Sequence, residues 1–180
     1  MKKTKKELRI AISGKSGCGN TTVSKLVAES LGLRFINLTF RNLAQEQGKD
    51  LADILALAAQ DAEWDKELDR RQVALAREAG GCVLGSRLAI WLLPEADLKV
   101  YLTARSETRA GRIVKREGGT LAAVAAFTEE RDRQDRERYL RIYGIDNDAY
   151  AFADLILHTD DLYPQRIARR IIQQVEQQES

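Results

Sequence analysis

The chain has 180 residues, 29 Lys and Arg against 27 Asp and Glu, and 44% hydrophobic residues. That is a globular composition of single-domain length, and its net charge of +2 leaves no global field to attract a long polyanion. Two cysteines and one histidine exclude a disulfide framework and a multi-histidine metal centre. No apolar run reaches the roughly 18 residues of a membrane helix, and the apolar run after the lysine-bearing start is too short for a signal peptide. The expectation is a cytoplasmic protein with neither membrane nor nucleic acid as partner.

Residues 8–13 are apolar and β-branched, which predicts a buried strand. A glycine-rich turn follows, and then a helix over Asn20–Leu31 with Val23, Leu26, Val27 and Leu31 at helical spacing and Gly32 as its stop. Residues 34–37 predict a second strand. From 39 to 79 the pattern is helical, broken near Gly48 and at Gln60-Asp61, with Asp50 capping one segment and a long charged helix over 61–79. Gly80-Gly81 stops it. Residues 82–84 and 97–102 predict the third and fourth strands. Ser106–Glu117 and Leu121–Tyr143 are helical on either side of Gly118-Gly119. Residues 154–158 predict a fifth strand, and Pro164–Glu179 a closing helix whose polar tail from Gln173 reads as frayed. Strands alternating with helices predict an α/β fold, one domain over residues 1–180, with a five-stranded parallel sheet covered on both faces.

The turn reads Gly14-Lys15-Ser16-Gly17-Cys18-Gly19-Asn20-Thr21-Thr22. Gly14 and Gly19 have the spacing of the phosphate-loop pattern G-x-x-x-x-G-K-[ST], and Thr21 fills its last position. Glycines let successive N–H groups converge on phosphate oxygens, and the helix start adds about half a positive charge. The Thr21 hydroxyl is the candidate Mg²⁺ ligand. Asn20 stands where the pattern has lysine. At ~4 Å and an effective dielectric of about 20, the missing charge pair is worth about 4 kcal/mol. Lys15, or an arginine from elsewhere, is the candidate replacement.

The arginines are gathered. Residues 105–141 hold ten Lys and Arg against seven Asp and Glu. Arg109, Arg112 and Arg116 share a sector of about 60° on one helix, and Arg131, Asp135 and Arg138 do so on the next. Two such faces can converge on one small anion. Phosphoryl transfer needs positioning and charge stabilisation, which the planar, permanently charged guanidinium supplies. Arg133, Arg136 and Arg141 are assigned to solvent. Asp69 is assigned to an ion pair with Arg70, Cys18 to loop packing, His158 to a structural place late in a core strand, and Trp64 and Trp91 to the core.

With these residues in view, the chain resembles the short, archaeal-type cytidylate kinases, a branch of the nucleoside monophosphate kinases. The resemblance rests on residues 14–22, Phe40-Arg41, Asp69-Arg70-Arg71, Gly85-Ser86-Arg87-Leu88-Ala89, residues 97–103, Arg112 with Lys115-Arg116-Glu117-Gly118, and Tyr139 with Tyr143-Gly144-Ile145-Asp146. It implies a three-layer P-loop kinase fold with a helical monophosphate-binding insert at about 38–80 and a lid at about 109–120. It implies Mg²⁺-dependent transfer of the ATP γ-phosphoryl group to CMP or dCMP by a monomer. Residues 14–22 would bind ATP, and Lys15, Arg112, Arg116 and Arg131 would be catalytic. Arg41, Arg87, Arg131, Asp135 and Arg138 would bind the monophosphate, Asp135 either orienting an arginine or accepting from the cytosine amino group. The chain departs from the pattern at Asn20, at residues 36–39, which lack an acid, and at Gly85-Ser86 before Arg87. These departures leave open a catalytically weakened nucleotide-binding protein. Kinases of shikimate, gluconate or dephospho-coenzyme A share such a loop and lid and leave open a different acceptor.

Overall fold

The computed structural model describes residues 7–78 and 80–179; the expectations that fell on residues 1–6, 79 and 180 lie outside them. In chain order the elements are β1 (Arg9–Gly14), α1 (Asn20–Leu31), β2 (Arg34–Ile36), α2 (Phe40–Gln47), α3 (Leu51–Gln60), α4 (Glu63–Arg77), β3 (Cys82–Gly85), α5 (Ala89–Leu92), β4 (Leu98–Thr103), α6 (Ser106–Glu117), α7 (Leu121–Tyr143), β5 (Leu155–His158) and α8 (Pro164–Glu179). The single turn α5 is too short to carry a helical period, and the sequence reading has no counterpart for it.

The strands form one parallel sheet in the order β2-β3-β1-β4-β5. The chain leaves β1 toward β2 on one side and leaves β3 toward β4 on the other. The order therefore reverses between β1 and β3, and a crevice opens beyond their carboxyl ends. Both loops that border it, the glycine turn after β1 and Gly85-Ser86-Arg87 after β3, lead out of buried strands.

Alternation along the strands builds the two covered faces. Ile10 and Ile12 of β1 pack with Val83, Val100 and Leu102 against Val23 and Val27 of α1 and Ile167, Ile171 and Val175 of α8. Ala11, Leu84 and Tyr101 face the other way, toward Ala76, Ile90 and Leu93. The polar tail expected to fray stays helical to Glu179; it is packed at Val175, which is buried, and exposed at residues 176–178. His158 is exposed at the end of β5, not held in the core, because β5 is the sheet's edge. Trp64 and Trp91 are half-buried; Trp91 meets Tyr101 and Phe152 edge-on and does not line the central cavity.

Between β2 and β3 the chain makes the helical insert α2–α4. Residues 109–117, where a lid is expected, are the later turns of α6, and the chain turns through Gly118-Gly119 into α7, whose first turn is capped by the Thr120 hydroxyl accepting from the Ala123 N–H. Ile171→Ala, which empties a fully buried site between α8 and the sheet, should cost about 2–5 kcal/mol in urea unfolding. Leu121→Ala, at a half-exposed site, should stay within about 0.5 kcal/mol.

Candidate active site

The glycine loop is held from behind by α6 and by the end of β5. Arg109 donates to the Ser16 carbonyl at 3.2 Å, Arg112 to the Gly17 carbonyl at 3.2 Å, and the Thr159 hydroxyl to the Cys18 carbonyl at 3.2 Å. A trans peptide puts N–H opposite C=O. The N–H groups of Gly17 and Gly19 therefore lie on the edge of the loop away from α6. Gly17 has φ +84°, and a Cβ there would stand 2.8 Å from the Arg109 Cβ and carbonyl, so only glycine lets the loop seat on α6. Arg109 itself is buried and paired with Asp132 of α7 at 2.7 Å. Cys18 is buried, and burial pushes its thiol pKa up, which fits the packing role read from the sequence.

The side chain at the lysine position is fully engaged. Asn20 donates to the Ile12 carbonyl at 3.0 Å and to the Ser86 carbonyl at 3.2 Å, and accepts from the Ser24 hydroxyl at 2.8 Å. It ties β1, α1 and the loop after β3 together. Gly85 makes room for this, since a Cβ there would lie 2.6 Å from Ser24 Oγ. Lys15, the candidate substitute, stands at the cavity wall but is paired with Asp148 at 2.6 Å.

A cavity of about 950 Å³ runs from residues 14–22, Thr21 and Thr22 included, across the crevice to the insert. Arg87, Arg112, Arg116, Arg131 and Arg138 line it. Arg87 and Arg138 are both bonded to Asp135, the latter at 3.1 Å. Arg112 is fixed by Gly17 and by the Thr159 hydroxyl at 3.0 Å. Among the described residues Arg116 pairs with its neighbour Glu117 alone, at 2.6 Å. Arg131 has no carboxylate within ion-pair distance among the described residues. Partial burial and then the like charge of Arg87 pull its pKa down. Among the sequence candidates, Asp135 is buried between its arginines and outside the large cavity, the arginine-orienting alternative. Arg41 is exposed on α2 and does not line the cavity, although Phe40 beside it does. Arg133 and Arg136 make surface pairs with Glu130, Glu137 and Asp146, as assigned, and Arg141 is exposed.

The insert contributes what the sequence reading missed. Asp65 and Asp69 of α4 line the far end of the cavity with Leu68 and Gln72. The expected Asp69–Arg70 pair does not form: Arg70 turns to Glu63 and Glu67, while Asp69 accepts from the Tyr143 hydroxyl at 2.6 Å and from Gln72 at 3.2 Å. The signal was in the periodicity. Positions 65, 68, 69 and 72 share one helix face, and two carboxylates on the face that buries Leu68 are out of place on a merely structural helix.

A three-layer parallel sheet with a glycine loop seated on a helix start and arginines converging beyond it defines a P-loop kinase fold. The model of the Cytidylate kinase-like family matches residues 9–161, and the chain belongs to that family of enzymes. It is 45% identical over 159 residues to Cytidylate kinase 2 of Borreliella afzelii (strain PKo), covering 86% of this chain and 89% of that protein. It is 41% identical over 165 residues to the cytidylate kinase of Pyrococcus horikoshii, covering 91% and 85%. In fold it is similar to a shikimate kinase from Bacteroides thetaiotaomicron, with a TM-score of 0.66, 18% identity and coverage of 94% of this chain and 98% of that one. No helix among the described residues is long and apolar enough to cross a membrane.

Burial raises the Asp69 carboxyl to about 6, against which the Tyr143 hydroxyl acts. The folded value lies above the unfolded one, so the stability tied to protonated Asp69 is full below about pH 4 and is lost as pH rises through about 6. The whole effect is roughly 3 kcal/mol. The unfolding free energy of Asp69→Asn relative to the wild type, from urea titrations, should therefore rise by up to that amount between about pH 4 and 8. A difference that stays flat over this range contradicts the shift.

Proposed function

We propose that the chain transfers the γ-phosphoryl group of ATP to CMP or dCMP, giving ADP and the pyrimidine nucleoside diphosphate. The observation that carries this reading is Arg131, a cation without an ion-pair partner among the described residues, beside Arg87 and Arg138 in a cavity continuous with the glycine loop. Family membership and relatives named as cytidylate kinases point to the acceptor.

The triphosphate lies along residues 14–22, taking the N–H groups that the outward-held carbonyls leave turned inward. Arg112 and Arg116 reach it from α6. The acceptor's phosphate sits on Arg87, Arg131 and Arg138, which hold its attacking oxygen in line with the γ-phosphorus and spread the charge that develops. Arg41 joins them when the insert closes. Among the described residues no group of three His, Cys, Asp or Glu side chains is placed to hold a metal ion. The Thr21 hydroxyl would help hold Mg²⁺ brought to the loop, and the ion would supply neutralisation of the charge that develops on the transferred phosphoryl group. Lys15 adds its charge only by leaving Asp148. The protein works as a cytoplasmic monomer without a nucleic-acid or membrane partner.

The engaged Asn20 favours a second reading, a nucleotide-binding protein in which transfer is slow. ADP release measured with CMP, UMP, AMP and GMP separates the two. Brisk CMP-dependent release, unchanged or lowered in Asn20→Lys, supports the kinase; background release that rises in Asn20→Lys supports the second reading. For the kinase, Arg131→Ala should lower kcat/KM for CMP by about 100-fold, the loss of one charge-assisted phosphate contact, and leave KM for ATP within about twofold.

A further inference from the structure

Residues 86–88 are an irregular stretch between β3 and α5, and they bring Arg87 to the cavity. Backbone groups outside a ladder must find other partners, and here two asparagines supply them. Asn37 donates to the Gly85 carbonyl at 2.7 Å, and Asn20 to the Ser86 carbonyl at 3.2 Å. The Ser86 N–H donates to the Ile12 carbonyl at 3.2 Å, which also takes the second N–H of Asn20 at 3.0 Å. The peptide between Gly85 and Ser86 is therefore held at both its C=O and its N–H. The next peptide, which leads to Arg87, is held at its C=O by Asn20.

An amide suits position 20 for a chemical reason. Its two N–H groups diverge in one plane and meet two carbonyls at once, while its oxygen takes the hydroxyl of Ser24 at 2.8 Å. Ser24 is fully buried, so that end is anchored in the core. A lysine that followed a donor phosphate from this position would leave the Ser86 carbonyl without this donor. At its other end Arg87 is held by Asp135. The side chain is thus fixed at its backbone by Asn20 and at its guanidinium by Asp135.

We propose that Asn20 is a positioning residue for the acceptor: it belongs to the donor's loop but acts on the other substrate, by aiming Arg87. Asn37 assists it on the preceding carbonyl. The inference rests on the phosphotransfer reading above, in which Arg87 holds the acceptor's phosphate, and deepens it. Position 20 then contributes geometry to one substrate where the loop pattern has a charge for the other.

The test measures the two substrates separately on Asn20→Ala. The kcat/KM for CMP should fall about 30-fold, and KM for ATP should stay within about twofold. The deciding measurement repeats this substitution in an Arg87→Ala background. There the further loss for CMP should shrink to less than about twofold, because the side chain that Asn20 aims is gone. An amide that only stabilised the fold would cost the same in either background. An undiminished loss overturns the proposal, and so does a loss that falls on KM for ATP and spares CMP. If Asn20→Ala does not fold, Asn37→Ala takes its place beside Arg87→Ala and is judged by the same shrinkage. A wild type that binds CMP but phosphorylates no monophosphate defeats the kinase reading alone. Calorimetry with CMP and ATP then decides: Asn20→Ala should bind CMP about tenfold more weakly and ATP as before, whereas unchanged CMP binding or an equal loss for both overturns the proposal. A wild type that binds ATP and no CMP overturns both.

Discussion

A phosphate loop works only if its carbonyls have somewhere else to go. Each peptide that offers an N–H to a ligand must satisfy its C=O on the opposite edge, and here Arg109, Arg112 and Thr159 do so. Arg109 is the pivot. It is buried, so its charge must be compensated, and Asp132 of α7 compensates it. One side chain thus fixes the loop to α6 and α6 to α7. The arginine face of α7 is delivered to the crevice by the same contact that shapes the loop. Gly17 is part of this constraint, because its missing Cβ is what permits the contact.

The charges of the site divide by what they already touch. Arg109, Arg87 and Arg138 are compensated by Asp132 and Asp135, and Lys15 by Asp148. Among the described residues Arg131 and Arg112 have no ion-pair partner, and Arg116 pairs with the exposed Glu117. The cavity therefore keeps a small positive excess, enough for a few phosphate oxygens, inside a molecule whose total is +2. Losing a lysine at position 20 removes one unit from this excess. In exchange the loop gains a short, neutral side chain that joins three segments of backbone. The structure supplies rigidity where the sequence pattern supplies charge.

The long elements were legible because their ends are chemically marked. Gly32 and Gly144 sit in left-handed conformation just past α1 and α7, Thr120 caps α7, and Pro164 opens α8, and all three helices begin and end where the sequence places them. The phosphate loop was legible because its spacing falls between a strand and a helix. Less legible was whatever depends on distant parts of the chain. His158 reads as a core position until the strand order puts β5 at the edge. Val175 sits in a polar stretch and is buried only because α8 lies along α1 and the sheet. The partner of Asp69 is 74 residues away on α7, while its sequence neighbour Arg70 points to solvent-side acids.

The same distance effect explains the two ends of the cavity. The insert and α7 are far apart in sequence, and each looks like an ordinary charged helix. Packed across the crevice, α4 presents Asp65 and Asp69 while α7 presents Arg131 and Arg138, with Tyr143 and Arg138 reaching over to the acids. The field between them runs from positive near the phosphate loop to negative at the insert. A ligand that is anionic at one end and a hydrogen-bond donor at the other is aligned by that field before any single contact forms, and one that is anionic throughout is favoured at only one end. A near-neutral total charge is then the sum of two opposed clusters, and their separation across one cavity gives the ligand its direction.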